Sequence, residues 1–311
     1  MRHFSSQQLA NALAYGPLIE VLRQAFRASY EVPMRHHHDF ANPLAGKPST
    51  LLLMPAWQVG QYLGVKMVTV SPENSQHQLP AIQGIYVLFD AHLGHPIALM
   101  DAPTLTAHRT AAASALAADY LARADSQTLF LVGTGRLAPE LIRAHCQIRP
   151  IQQVYVWGRN PSKAEAVADL FEQHQVTVHS IASIEEGVAL ADVITCATLS
   201  ETPLIQGRWL RSGQHLDLVG SYRPNMREAD DEVMLRSSIF VDTYAGATKE
   251  CGDIAIPLQT GLLTKEQIKA DLFELTRGQK PGRQNADEIT CFKSVGHALE
   301  DLAAAKMVYE L

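Results

Sequence analysis

The segment TLFLV followed by Gly133, Thr134, Gly135, Arg136, Leu137 and Ala138 joins a buried-type strand to a helix through a glycine turn. In such a turn the first glycine permits the tight bend and the second lets backbone approach a pyrophosphate. The small third residue, Ala138, lets the helix sit close to its strand. The phosphates then meet unpaired N–H groups at a helix N-terminus. A second apolar run at 154–157 follows, as a strand-helix-strand unit requires. Its end reads Gly158, Arg159, Asn160, Pro161, Ser162, Lys163. An acid there would accept from a ribose 2′-hydroxyl. None is present, and Arg159 with Asn160, Ser162 or Lys163 suits a 2′-phosphate instead, so NADPH is the expected cofactor, with NADH as the second choice.

Three basic residues stand out elsewhere. Lys66 interrupts the apolar strand LGVKMVTV, where an ammonium costs free energy unless it meets an anion or a cavity. A strand-edge lysine is the alternative reading. Arg109 lies among small residues in TAHRTAAASALAADYLARA, open either to a ligand or to an interdomain salt bridge. Arg35 opens the sheet-forming region. Three cations with no evident acid, nucleophile or metal set suit a small carboxylate placed beside a nicotinamide ring, since hydride transfer asks little beyond positioning and electrostatics. His36, His37 and His38 with Asp39 invite a metal, but neighbours on a strand face opposite sides, so a loop with one or two substrate-facing side chains is expected and no metal.

These residues need a scaffold. Residues 5–28 place Leu9, Leu13, Leu18, Val21, Leu22, Ala25 and Phe26 at helical spacing, with Ser5 or Ser6 as cap. Residues 33–100 break into short apolar or alternating runs, predicting an antiparallel sheet. An alanine-rich helix over 104–124 bridges to a region where strands and helices alternate, the pattern of a parallel sheet with right-handed crossovers. Residues 265–285 read as a helix and an exposed loop, and 295–309 as a final helix. The expected architecture is α/β. A Rossmann-like dinucleotide domain spans 113–292, and an α+β domain comprises 1–112 with 293–311.

Composition narrows the class further. The 311 residues are 47% hydrophobic and carry a formal charge of −6 with no long basic run, which argues against nucleic acid as a partner. Cys146, Cys196, Cys251 and Cys291 form no CxxC pair and read as reduced thiols. No signal-peptide profile or membrane-length apolar run is present, so a cytoplasmic protein is expected.

Along nearly its whole length the chain resembles the ornithine cyclodeaminase/mu-crystallin family. The likeness is carried by GVKMVTV (64–70), MDAPTLTAHRTAAASALAADYL (100–121), LVGTGRLA (131–138), VWGRNPSKAE (156–165), ADVITCAT (191–198), LVGSYRPNMREADDE (218–232), FVDTYAGATKECGDI (240–254) and FKSVGHALEDLAAAKMVY (292–309). The resemblance implies a two-domain homodimer whose substrate and dimerisation domain is formed by the N-terminal segment and the final helix. It assigns the substrate carboxylate to Arg35, Lys66 and Arg109, with Lys66 also moving a proton. It assigns cofactor contacts to Arg109, Gly133, Thr134, Gly135, Arg136, Leu137, Ala138, Arg159, Asn160, Thr198, Leu199, Val219 and Ser294. One departure matters: cyclodeaminases and the related archaeal alanine dehydrogenase carry Asp where this chain has Tyr222. A phenol with pKa near ~10 is a poor base at neutral pH. The GSYRPNMRE segment is similar instead to the ketimine reductase branch. That branch implies reduction of Δ1-pyrroline-2-carboxylate or Δ1-piperideine-2-carboxylate to L-proline or L-pipecolate. The alternatives are a cyclodeaminase of ornithine or lysine, an alanine dehydrogenase-like enzyme, or a binder of the mu-crystallin kind.

Overall fold

A computed structural model of the protein describes residues 1–43 and 46–311. The chain divides into two compact units, Met1–Arg109 with Ala298–Leu311, and Thr110–His297.

The first unit contains β1 (Arg2–Phe4), α1 (Ser6–Ala12), α2 (Tyr15–Arg27), β2 (His36–Phe40), β3 (Ser49–Gln58), β4 (Tyr62–Val70), β5 (Ile82–Asp90), β6 (Pro96–Asp101) and the start of α3 (Ala102–Leu121). Its sheet runs β1-β6-β5-β4-β3-β2, antiparallel except that β1 lies parallel to β6. The expected single helix over 5–28 is two. Ser5 closes a capping box on α1, and the chain turns extended at Ala14. Pro17 lacks the N–H that a continuous helix would need there but fits the first turn of α2. The histidine run is not a loop but the exposed strand β2, paired with β3 at the sheet edge.

Side chains alternate across a strand, so register decides which residues meet. Met54, Lys66, Tyr86 and Met100 align in one row across β3, β4, β5 and β6, all buried. The final helix, which follows the second unit in the chain, packs over this face, and α2 packs against that helix. The opposite face carries Leu53, Pro55, Val65, Met67 and Val87, all half-buried, and exposed Ile85.

The second unit holds β7 (Thr128–Val132), α4 (Leu137–Ile148), β8 (Gln153–Trp157), α5 (Pro161–Asp169), β9 (Thr177–Ser180), α6 (Ile184–Leu190), β10 (Val193–Cys196), β11 (His215–Leu218), α7 (Asp231–Arg236), β12 (Ser238–Val241), α8 (Tyr244–Glu250), α9 (Gly252–Gln259), β13 (Ile268–Asp271), α10 (Leu272–Thr276) and β14 (Thr290–Lys293). The first unit is completed by α11 (Ala298–Glu310). All the strands of the second unit are parallel, in the order β13-β12-β14-β11-β10-β7-β8-β9. From β7 the chain fills one side through β8 and β9, then returns to the other through β10 and β11. That reversal marks the switch point where an open parallel sheet binds ligands beyond its strand ends. The region 265–285 departs from expectation: Ile268 and Ala270 alternate inward as β13, with α10 after it. Both faces of the sheet are apolar, and Gly187 of α6 rides so close that a Cβ would come within 2.4 Å of the Phe130 ring.

Candidate active site

In the first unit Lys66 leaves β4 on the face beneath α11. Its Nζ lies 2.8 Å from Asp301 Oδ2 and donates to Thr106 Oγ1 at 3.4 Å. Arg109 donates from Nε to the other oxygen of Asp301 at 2.9 Å and from Nη1 to Glu300 at 2.5 Å. All four side chains of this ion network are at least nine-tenths buried. The acids missing from the sequence reading therefore sit on α11, where the apolar positions drew attention and the two carboxylates did not. Nor is Arg109 in a salt bridge between domains, since both acids belong to its own unit. The first turn of a helix also favours negative charge, which suits Glu300 and Asp301 there.

Burial pulls the Lys66 ammonium down, Asp301 holds it up, and the positive charges of Arg109 and Arg35 depress it further, to about 8. Asp301 feels burial in the opposite sense, but Arg109 and Lys66 outweigh it and keep the carboxyl below its usual range. Half-buried Arg35 thus belongs to the same electrostatic neighbourhood as Lys66 and Arg109. Tyr86 completes the row, and its hydroxyl lies over Gly64, where a Cβ would come within 1.8 Å of it. With its ammonium brought down to about 8, Lys66 stays mostly protonated at neutrality yet is a stronger acid than an ordinary lysine, which suits a general acid.

The second unit gathers the other candidates at its strand ends. Gly133 takes φ +126, and a Cβ there would press on Ala197 O at 2.6 Å, so only glycine fits. Around Gly135 a Cβ would meet nothing within 4 Å, leaving the backbone open to a ligand. Arg136 is the N-cap of α4, Leu137 begins it, and Ala138 is buried against the sheet. Asn160 caps α5 through its side chain, with exposed Arg159 beside it. Thr198 and exposed Leu199 follow β10, Val219 follows β11 and Ser294 follows β14. Every residue assigned to cofactor contacts, Arg109 apart, thus lies just beyond β7, β8, β10, β11 or β14. Open space at Gly135 and the enforced turn at Gly133 fit a dinucleotide pyrophosphate.

Sequence reading passed over Glu228 and its neighbours. This fully buried carboxylate accepts from Thr198 N and Gly220 N, each at 2.7 Å, and from Thr198 Oγ1 at 2.9 Å. No sequence signal marked it: Glu228 lies eight residues beyond Gly220 in a run with further acids, and only the fold brings Thr198 and Gly220 to it. Tyr222 is half-buried, with Arg223 over its ring. Among the described residues no group of three His, Cys, Asp or Glu side chains could hold a metal, and no helix is long and apolar enough to cross a membrane. All four cysteines are unpaired, and burial pushes their thiols up.

A parallel sheet with its glycine turn at the switch point is the architecture of a dinucleotide-binding domain, here in one chain with a unit that holds buried cations. The chain belongs to the ornithine cyclodeaminase/mu-crystallin family, whose model matches residues 7–311. It is 37% identical over 313 residues to a Δ1-pyrroline-2-carboxylate reductase of Colwellia psychrerythraea, covering 100% of this chain and 99% of that one. The structure of Thermococcus litoralis Δ1-pyrroline-2-carboxylate reductase in complex with NADH and L-proline superposes with TM-score 0.94 at 34% identity, covering 100% of this chain and 97% of that one. An archaeal alanine dehydrogenase dimer with bound NAD gives TM-score 0.92 at 28% identity, covering 100% and 95%.

Proposed function

We propose that the protein reduces Δ1-pyrroline-2-carboxylate, and its six-membered homologue Δ1-piperideine-2-carboxylate, to L-proline and L-pipecolate. The observation that carries this reading is the buried Lys66 cluster. Lys66 and Arg109, held by Asp301 and Glu300 with Arg35 in the same electrostatic neighbourhood, offer cationic groups suited to a substrate carboxylate. Arg35 and Arg109 hold that carboxylate. Lys66 holds or donates the proton at the ring nitrogen, keeping the imine electrophilic. A bound nicotinamide dinucleotide supplies the hydride. Gly133 to Ala138 would hold its pyrophosphate, Arg159 and Asn160 its adenosine end, and Thr198, Leu199, Val219 and Ser294 the remainder. The resemblance assigns Arg109 to the substrate carboxylate and to the cofactor alike.

The preference for NADPH rests on Arg159 and on the lack of an acid after β8, although the Thermococcus relative was solved with NADH. Tyr222, standing where cyclodeaminases have Asp, supports reduction over deamination. The half-exposed apolar face around Val65 and Met67 suits a second copy of the chain, making the first unit the dimerisation domain. Unpaired thiols suit the reducing cytoplasm. The test is product analysis: L-proline should form from the imine with NADPH, and Lys66→Met should cut turnover by orders of magnitude with dinucleotide affinity nearly intact. Absence of L-proline in the wild type overturns the function, and unchanged turnover in the variant removes the role of Lys66.

A further inference from the structure

Two adjacent strands of the second unit end in backbone that one side chain ties together. Glu228 Oε1 accepts from Thr198 N at 2.7 Å and from Thr198 Oγ1 at 2.9 Å, just past β10. Its Oε2 accepts from Gly220 N at 2.7 Å and Ser221 N at 3.3 Å, just past β11. The two loops are interlocked so closely that a Cβ on Gly220 would lie 2.0 Å from Thr198 O. Glu228 is itself held: its own N–H and that of Ala229 donate to Asp253 Oδ1 at 2.8 and 3.1 Å. Asp253 Oδ2 in turn lies 3.5 Å from Lys293 Nζ, at the end of β14 and next to Ser294. All three charged side chains are fully buried. A fold needs no such expense merely to end three strands, because burying charge costs more than apolar packing. The charge is concentrated where the resemblance assigns Thr198, Val219 and Ser294 to the cofactor; the Gly133 turn packs against Ala197 and Thr198 at its border, whereas Arg159 follows β8, two strands away from β10.

We infer that Glu228 is a positioning residue for the nicotinamide half of the dinucleotide: it locks the backbone beyond β10 and β11 into one shape, and Asp253 with Lys293 extends that lock to β14. This rests on the dinucleotide reading above. It predicts an asymmetry that a purely structural role would not produce, because the adenosine half is held by different strands.

The experiment measures binding rather than turnover, by fluorescence titration and by ligand-induced shift in melting temperature. The probes are NADPH and 2′-phospho-ADP-ribose, which lacks the nicotinamide. In Glu228→Gln the amide cannot accept at both loops, so two or more hydrogen bonds are lost, and NADPH affinity should fall about tenfold or more. Affinity for 2′-phospho-ADP-ribose should stay within about twofold of wild type, because its contacts are untouched. Glu228→Asp, which keeps the charge but is too short to span both loops, should recover part of the loss. Should Glu228→Gln not fold, Glu228→Asp carries the test alone, with NADPH weakened about threefold or more and the same asymmetry. Equal losses for both probes, or no loss for either, overturns the positioning role. Failure of the wild type to bind either probe overturns the dinucleotide reading, and with it this inference.

Discussion

Replacing Asp301 by Asn removes one charge from the Lys66 network with almost no change in volume. Its carboxylate contacts Lys66 at 2.8 Å and Arg109 at 2.9 Å, and all three groups are buried. Breaking such a pair strands cations in the interior, a loss of about 3–5 kcal/mol. For 311 residues at about 2.1 cal/mol/K each, that corresponds to a fall in melting temperature of roughly 5–8 °C. The second consequence is chemical. Lys66 stands at about 8 because Asp301 opposes burial and the two arginines, so removing Asp301 lowers it further. A lost partner charge moves a pKa by about 1–3 units. Lys66 donates a proton only while protonated, so wild-type kcat/KM should fall as pH rises through about 8. In Asp301→Asn that alkaline limb should move to lower pH, leaving little activity at neutrality. The assay is the pH profile of imine reduction on both proteins beside thermal melts. A variant melting with the wild type and keeping the same alkaline limb would refute the reasoning, since neither the ion pair nor its control of Lys66 would then matter.

Three further outcomes are expected. Arg159→Ala should lose about tenfold or more in NADPH affinity, the worth of one charge-assisted contact, while NADH binding changes little; parallel titrations of the two dinucleotides check this. Val65→Asp places a charge on the half-exposed sheet face and should convert a dimer to monomer at micromolar concentration, as read by light scattering after gel filtration. Gly220→Ala should fail to fold or lose NADPH binding outright, because its Cβ would lie 2.0 Å from Thr198 O, and thermal melts with and without NADPH distinguish the two.

The glycine turn was legible because its chemistry is local: strand, turn and helix lie within a dozen residues, and each small residue has its own steric reason. Lys66 was legible as an anomaly, a charge in an apolar strand. Its partner was not, since such contacts join residues far apart in the chain, as the 192 positions between Arg109 and Asp301 show. β13 (IKAD) and β14 (TCFK) escaped, unlike the equally short β9 to β12, because each carries a lysine and no apolar run and takes its conformation from neighbours in the sheet. The clamp at Glu228 stayed hidden because a buried acid and a surface acid look alike until the fold brings Thr198 and Gly220 to it.

The central claim, reduction of a cyclic imino acid rather than deamination of ornithine, is tested most directly by comparing kcat/KM for Δ1-pyrroline-2-carboxylate with NADPH against that for L-ornithine with NAD⁺. The first should exceed the second by orders of magnitude, with no ammonia released from ornithine. Ammonia release from ornithine without oxidation of NADPH by the imine would contradict the account and return Tyr222 to a role compatible with deamination.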